Sequence, residues 1–194
     1  MSIYYNVINV AVWNIHGIFS YVNKVKICKL GDPEFKDYIK SLDILCLQET
    51  HVGPSETQSL TVEGFRIIPF HRKKSENNRF FGGSMLLIRK ELMRGIKIID
   101  SYGGDVIWLK LKKEFFGLEK DLLFCFAYVP PSTSPYTKTL GYEPLDKIEE
   151  DISRFKIDNN FILADDFNAK TNTVSDFVSD INDKHSPVVI FIFS

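Results

Sequence analysis

The stretch Ile8-Asn9-Val10-Ala11-Val12-Trp13-Asn14 decides the fold. Ile8, Val10 and Val12 alternate with Asn9, Ala11 and Trp13, so apolar side chains fall on both faces of an extended chain, as in a strand covered on both sides. Such a strand belongs inside a layered protein, and this one ends in a polar amide. Working outward, Asp32-Pro33 reads as a cap followed by proline at the first helical position. Phe35, Ile39 and Leu42 follow at helical spacing and give a short amphipathic helix ending near Ser41. Residues 44–47 form a second apolar strand, with further strands expected at 65–68, 85–89, 96–101, 106–111 and 122–129, and one more buried strand at 161–164. A second helix carries Leu145, Ile148, Ile152 and Phe155 at intervals of three and four. Strands outnumber helices and helices fall between strands, which favours an α/β layered fold over an all-β one. No repeat, low-complexity segment or linker divides residues 1–194, so one domain is expected.

Composition narrows the class. Hydrophobic residues make up 44% and charged residues 25% of the chain, values of a folded protein rather than a disordered one. The cysteines Cys28, Cys46 and Cys125 share no ligand spacing, and the last two sit in apolar runs, which suits a reducing compartment. No secretory leader is visible after Met1, and no apolar run approaches the roughly 18 residues of a membrane span. These features point to an intracellular protein, nuclear or cytoplasmic and not secreted, with no membrane association and no clear protein partner. The net charge of −1 excludes nucleic-acid binding by bulk positive charge. A local basic patch runs from Arg66 to Arg79 and includes His71, Arg72, Lys73 and Lys74. Arg72, Lys73 and Lys74 are candidate phosphate or DNA contacts, although a run of this kind also reads as a solvated loop.

Four strands end in polar residues: Trp13-Asn14, Leu47-Gln48-Glu49-Thr50-His51, Tyr128-Val129-Pro130-Pro131 and Asp165-Asp166-Phe167-Asn168. In open α/β sheets the carboxyl ends of strands face one crevice, where ligands bind. Separate strands thereby gather an amide, a carboxylate, a phenol, and a second carboxylate with an amide beside it. That set suits a hard cation and a phosphate ester, because Mg²⁺ takes oxygen ligands, keeps several waters and needs only one or two carboxylates. Asp166 is placed to orient or deprotonate an attacking water, with Asn168 holding it in line. Singly, each element has a plainer reading: Glu49 as a solvent-facing turn residue, Asp165-Asp166-Phe167-Asn168 as an ordinary turn, and Tyr128 as a half-buried strand residue.

These residues resemble the endonuclease/exonuclease/phosphatase superfamily. Asn9-Val10-Ala11-Val12-Trp13-Asn14-Ile15-His16-Gly17 is similar to its opening strand, and Leu47-Gln48-Glu49-Thr50-His51 to its second motif. Phe81-Gly82-Gly83-Ser84-Met85-Leu86-Leu87-Ile88-Arg89 matches the strand that follows, and Asp166-Phe167-Asn168-Ala169 the Asp-Phe-Asn-Ala motif. Ile107-Trp108-Leu109-Lys110-Leu111 and Ala127-Tyr128-Val129-Pro130-Pro131-Ser132-Thr133-Ser134-Pro135-Tyr136 are similar to endonuclease domains of retrotransposons that lack long terminal repeats. The resemblance implies a four-layer α/β sandwich of the DNase I-like type that hydrolyses a DNA phosphodiester with Mg²⁺ or Mn²⁺. It implies Glu49 as principal metal ligand with Asn14 beside it, Tyr128 at the scissile phosphate, and Asp166 and Asn168 positioning the water.

Three departures stand out. Asp165 replaces the family's usual Gly, His16 stands where some relatives carry Asp, and the closing Ser-Asp-His motif has only Asp183-Lys184-His185-Ser186-Pro187-Val188 as a counterpart. His185 follows Asp166 by 185 − 166 = 19 residues, too few for the second half of such a sandwich, and Lys184 cannot accept the hydrogen bond that would orient an imidazole. The expectation is a domain cut short after about residue 171, with His185 an ordinary loop histidine and the apolar run 188–193 either a final strand or an added tail. A phosphatase or lipid phosphodiesterase on the same scaffold and an inactive remnant are the rival readings, since a fold does not determine a substrate.

Overall fold

A computed structural model describes residues 7–74, 79–130, 134, 136, 141–155, 159–166 and 188–193, with 165, 166 and 188–193 described by their backbone. The opening run is strand β1 (Val7–Asn14), followed by a hairpin of β2 (Phe19–Val22) and β3 (Val25–Cys28). Helix α1 (Pro33–Ile39) starts where Asp32 Oδ1 accepts the amides of Glu34 at 2.8 Å and Phe35 at 3.4 Å. That cap satisfies two otherwise orphaned donors, and Pro33 needs none. Next come β4 (Ile44–Gln48), a single turn α2 (Pro54–Thr57), β5 (Phe65–Phe70), β6 (Ser84–Arg89), β7 (Ile96–Tyr102) and β8 (Val106–Leu111). The turn α3 (Lys113–Phe116), β9 (Leu122–Tyr128), helix α4 (Pro144–Phe155), β10 (Asn160–Asp166) and β11 (Val188–Phe193) complete the order.

Among the described residues the strands form a five-stranded sheet ordered β11-β1-β4-β6-β5, a four-stranded sheet ordered β10-β9-β8-β7, and the separate β2–β3 hairpin. The inner faces of the two sheets meet in one core. Val10, Val12, Ile44, Cys46, Leu86 and Ile88 of the first pack with Ile107, Leu109, Phe124 and Phe126 of the second. On the outer face of the first sheet, Ala11, Leu45, Leu47 and Leu87 pack on Phe35 and Ile39 of α1. On the outer face of the second, Trp108, Leu123 and Cys125 pack on Ile148 of α4. The layers are therefore helix, sheet, sheet, helix: the four-layer α/β sandwich expected of the sequence.

Two details differ from expectation. Leu145 is exposed, because the buried stripe of α4 runs through Ile148, Ile152 and Phe155. Phe161 is exposed as well, at the start of β10, which stands at the end of its sheet among the described residues. The run 188–193 is a strand, paired antiparallel to β1 with Val188 opposite Val12. No helix among the described residues is long and apolar enough to cross a membrane.

Two parallel pairs position the site. β1 and β4 run together and end level at Asn14 and Gln48, and β9 and β10 run together and end level at Tyr128 and Asp166. Gln48 joins the two ends: its buried side-chain amide crosses from the first sheet to donate to the Ala127 carbonyl of the second.

Candidate active site

Immediately beyond β4 the chain turns through Glu49, at φ 51°, and His51, at φ 56°, opposite His16, at φ 47°. Left-handed backbone costs a residue with a side chain about 1–2 kcal/mol, and three such residues, Glu49 itself among them, gather at this turn. The loop is fastened on both sides. The amides of Gly17 and Ile18 donate to the carbonyls of Glu49 and Thr50, at 2.6 and 2.9 Å. The amides of Thr50 and His51 donate to the carbonyls of Gly83 and Gly82, at 3.0 and 2.9 Å.

The Glu49 carboxylate so held is half-buried and multiply bonded. The Tyr128 hydroxyl donates to its Oε1, His16 Nδ1 lies 3.0 Å from its Oε2, and His51 Nε2 lies 3.8 Å from the same oxygen. The Asn14 side chain bonds it too, while Asn14 Oδ1 accepts the His16 amide at 3.2 Å. Burial pushes the Glu49 carboxyl up, but the Tyr128 hydroxyl, the Asn14 amide and the two imidazoles together hold it below the ordinary glutamate value. It is an anion at neutral pH. His51 is pushed below the usual histidine value, chiefly by burial, with Glu49 pulling the other way.

Of the residues expected at the site, Asn14, Glu49 and Tyr128 are thus brought together, and Asp166 is present as the last residue of β10, in register with Tyr128. Asn168 and His185 lie outside the described residues. The histidines His16 and His51 join the carboxylate although neither had an expected role; the only signal was that His16 breaks the family pattern.

Arg72 is a correction. Expected on a solvated or DNA-facing patch with Lys73 and Lys74, it is 7% exposed. Its guanidinium is paired with the buried Asp105 carboxylate, Nε donating at 2.8 Å. It also stacks 3.6 Å from the centre of the Tyr136 ring and 5.2 Å from that of Tyr128. Tyr136 donates to the other Asp105 oxygen at 3.0 Å. Gly82, at φ 71°, permits this: a Cβ there would lie 2.0 Å from Arg72 Nη1. Lys73 and Lys74 are exposed, as a surface patch requires.

Burial pushes the Asp105 carboxyl from 3.8 up to about 6, against the opposing pull of Arg72 and Tyr136. The folded state therefore binds this proton more tightly than the unfolded one. The group's contribution to stability is complete below about pH 4 and declines as pH rises through about 6. Urea titrations should show the stability gap between wild type and Asp105→Asn narrowing from pH 4 to 6 and levelling off above about 7. A constant gap would contradict the raised value.

Chemically, the strand ends present oxygen donors around an ionised carboxylate. Among the described residues no three His, Cys, Asp or Glu side chains are gathered as a metal cage. A hard ion that keeps most of its waters needs none.

Solved structures share this architecture. A crystal structure of D. rerio TDP2 complexed with single strand DNA product superposes with TM-score 0.52 at 16% identity, covering 86% of this chain and 62% of that one. An endonuclease/exonuclease/phosphatase family protein from Bacteroides thetaiotaomicron gives 0.50 at 17% identity, covering 84% and 64%. This chain thus spans less than two thirds of the length of either. No curated protein matches the sequence. The family model for the endonuclease/exonuclease/phosphatase family matches residues 11–187, nearly the whole length. The chain belongs to the endonuclease/exonuclease/phosphatase family.

Proposed function

We propose that this chain is a divalent-metal-dependent phosphodiesterase acting on DNA, of the nicking type found in retrotransposons that lack long terminal repeats. The observation that carries the reading is the Glu49 carboxylate, kept ionised at the joined ends of two parallel strand pairs and bonded by Asn14 and Tyr128. Its oxygen donors fit Mg²⁺ or Mn²⁺. Glu49 and Asn14 would hold the ion, which when bound neutralises phosphate oxygens and polarises the bond under attack. With substrate present the Tyr128 hydroxyl turns from Glu49 to donate to a phosphate oxygen, Asp166 takes the proton of the attacking water, and Asn168 keeps that water in line. DNA as substrate is supported by the retrotransposon-like segment from Pro130 to Tyr136 and by the DNA product on the D. rerio structure.

His185, which lies outside the described residues, is read as an ordinary loop histidine rather than as the family's closing one. The interval of 19 residues from Asp166 and the neighbouring Lys184, which cannot accept the hydrogen bond that orients an imidazole, support this reading. His185→Ala is expected to nick supercoiled plasmid at about the wild-type rate, and a loss of about 10²-fold or more would place His185 in the site.

The substrate is tested by offering plasmid DNA, inositol phosphates and sphingomyelin with Mg²⁺ to wild type and Asp166→Ala. Wild type should nick the plasmid without releasing phosphate from the inositol phosphates or phosphocholine from sphingomyelin, and the variant should do none of these. Turnover of a lipid or inositol substrate without nicking would reverse the assignment.

A further inference from the structure

The β2–β3 hairpin belongs to neither sheet and covers little of itself. Tyr21, Val22, Val25 and Ile27 are 69%, 53%, 61% and 43% exposed. Two-stranded ribbons are marginal without a face to pack on, and a cluster of exposed apolar residues rimmed by polar ones marks a contact surface. The register pairs Phe19 with Cys28, Ser20 with Ile27, Tyr21 with Lys26 and Val22 with Val25. Side chains alternate between faces, so Phe19 and Cys28 moor the base on the core while Val22, Val25 and Ile27 occupy the opposite face in the open.

Three observations say what covers it. First, the hairpin grows from the candidate site: β2 begins two residues after Gly17, whose amide holds the Glu49 carbonyl, and Lys29 Nζ, just past β3, donates to the carbonyls of Ile15 and His16 at 2.5 and 3.3 Å. Second, residues 17–31 contain Lys24, Lys26 and Lys29 and no acid, within a chain of net charge −1. Third, the tip turns through Asn23 and Lys24, at φ 49° and 67°, the double left-handed turn that normally takes glycine second. A lysine is kept there at a conformational cost, at the point of the ribbon farthest from the core. Lys26 is paired with Glu56 at 2.7 Å, so the tip charge is that of Lys24.

We propose that the hairpin is a DNA-gripping ribbon. It lodges in a groove of the duplex beside the scissile phosphate, with Val22 and Val25 against base edges, Tyr21, on the ribbon's other face, against the sugar-phosphate wall and Lys24 on a phosphate. The inference rests on the DNA reading of the site and gives that site its hold on the duplex. The major groove admits a two-stranded ribbon and offers thymine methyls to apolar side chains, and tyrosine hydroxyls donate to backbone phosphate oxygens.

The test is fluorescence anisotropy with a labelled duplex in EDTA, where binding is read without cutting. Val22→Ser/Val25→Ser and Tyr21→Ser should each raise Kd by about tenfold. Lys24→Ala should weaken binding and lower the slope of log K against log salt by about one. Because these side chains are exposed, the variants should keep the wild-type Tm, which separates loss of grip from loss of fold. Unchanged affinity in all three variants overturns the proposal, as does a wild type that binds no duplex. Equal DNA affinity with a shift from dimer to monomer in the serine variants also overturns it, and assigns the face to a second copy of the chain. Hairpin-dependent binding by a wild type that cuts no DNA would instead overturn the proposed function and leave the ribbon standing.

Discussion

Arg72→Ala should lower the stability of the fold by about 3–5 kcal/mol, a fall in Tm of roughly 6–20 °C for a domain of this size. The magnitude follows from where the charge sits. Arg72 and Asp105 are both buried and bonded to each other, with Tyr136 closing the remaining carboxylate oxygen. Removing the guanidinium leaves a buried carboxylate with one hydroxyl for a partner, and also strips the cation from between the rings of Tyr136 and Tyr128. Replacing both partners removes the stranded charge, so Arg72→Met with Asp105→Leu should be far less destabilised than the sum of the single changes. Thermal and urea unfolding of the four proteins measure this cycle. Additive losses, or an Arg72→Ala variant within about 1 kcal/mol of wild type, would mean that the pair is not the support the geometry describes.

Glu49→Gln should cut the nicking rate about a thousandfold, equivalent to about 4 kcal/mol of barrier, and weaken Mn²⁺ binding at least about tenfold, with little change in Tm. Glutamine keeps an oxygen to accept from Tyr128 and keeps the bulk of the side chain, so the loop should remain in place. What it loses is the negative charge, held ionised at neutral pH by Tyr128, Asn14, His16 and His51. Electron paramagnetic resonance of Mn²⁺ titrations, read beside the nicking assay, separates lost ion binding from lost chemistry. Undiminished Mn²⁺ affinity in the variant would move the metal away from Glu49.

Legibility in the sequence followed burial. β1, β4, β8 and β9 are covered on both faces, and runs such as Ile44-Leu45-Cys46-Leu47 announce themselves without reference to anything distant. The start of α1 was equally plain, because a cap and its proline are local. The β2–β3 hairpin was not legible. It buries neither face fully, and its turn carries Asn23-Lys24 instead of a glycine. Leu145 and Phe161 were misplaced for a related reason: periodicity marks a stripe or a strand but not where the covering layer ends.

The meeting of Asn14, Glu49 and Tyr128 could be read because each ends or follows an apolar strand, and strand ends share a crevice. Arg72 with Asp105 could not, since the partners are 33 residues apart and a basic loop resembles a solvated one until its carboxylate is located. The same holds for the two histidines beside Glu49, which backbone turns rather than sequence spacing bring to the carboxylate.

The activity proposed for this chain is DNA cleavage with a divalent ion held at Glu49. Its most direct test is the conversion of supercoiled plasmid to open circle by purified protein in Mg²⁺, in EDTA, and in Mg²⁺ with Glu49→Gln. Nicking in the first and its loss in the other two is the predicted result, whereas nicking that persists in EDTA or in the variant, or none by wild type, would contradict it.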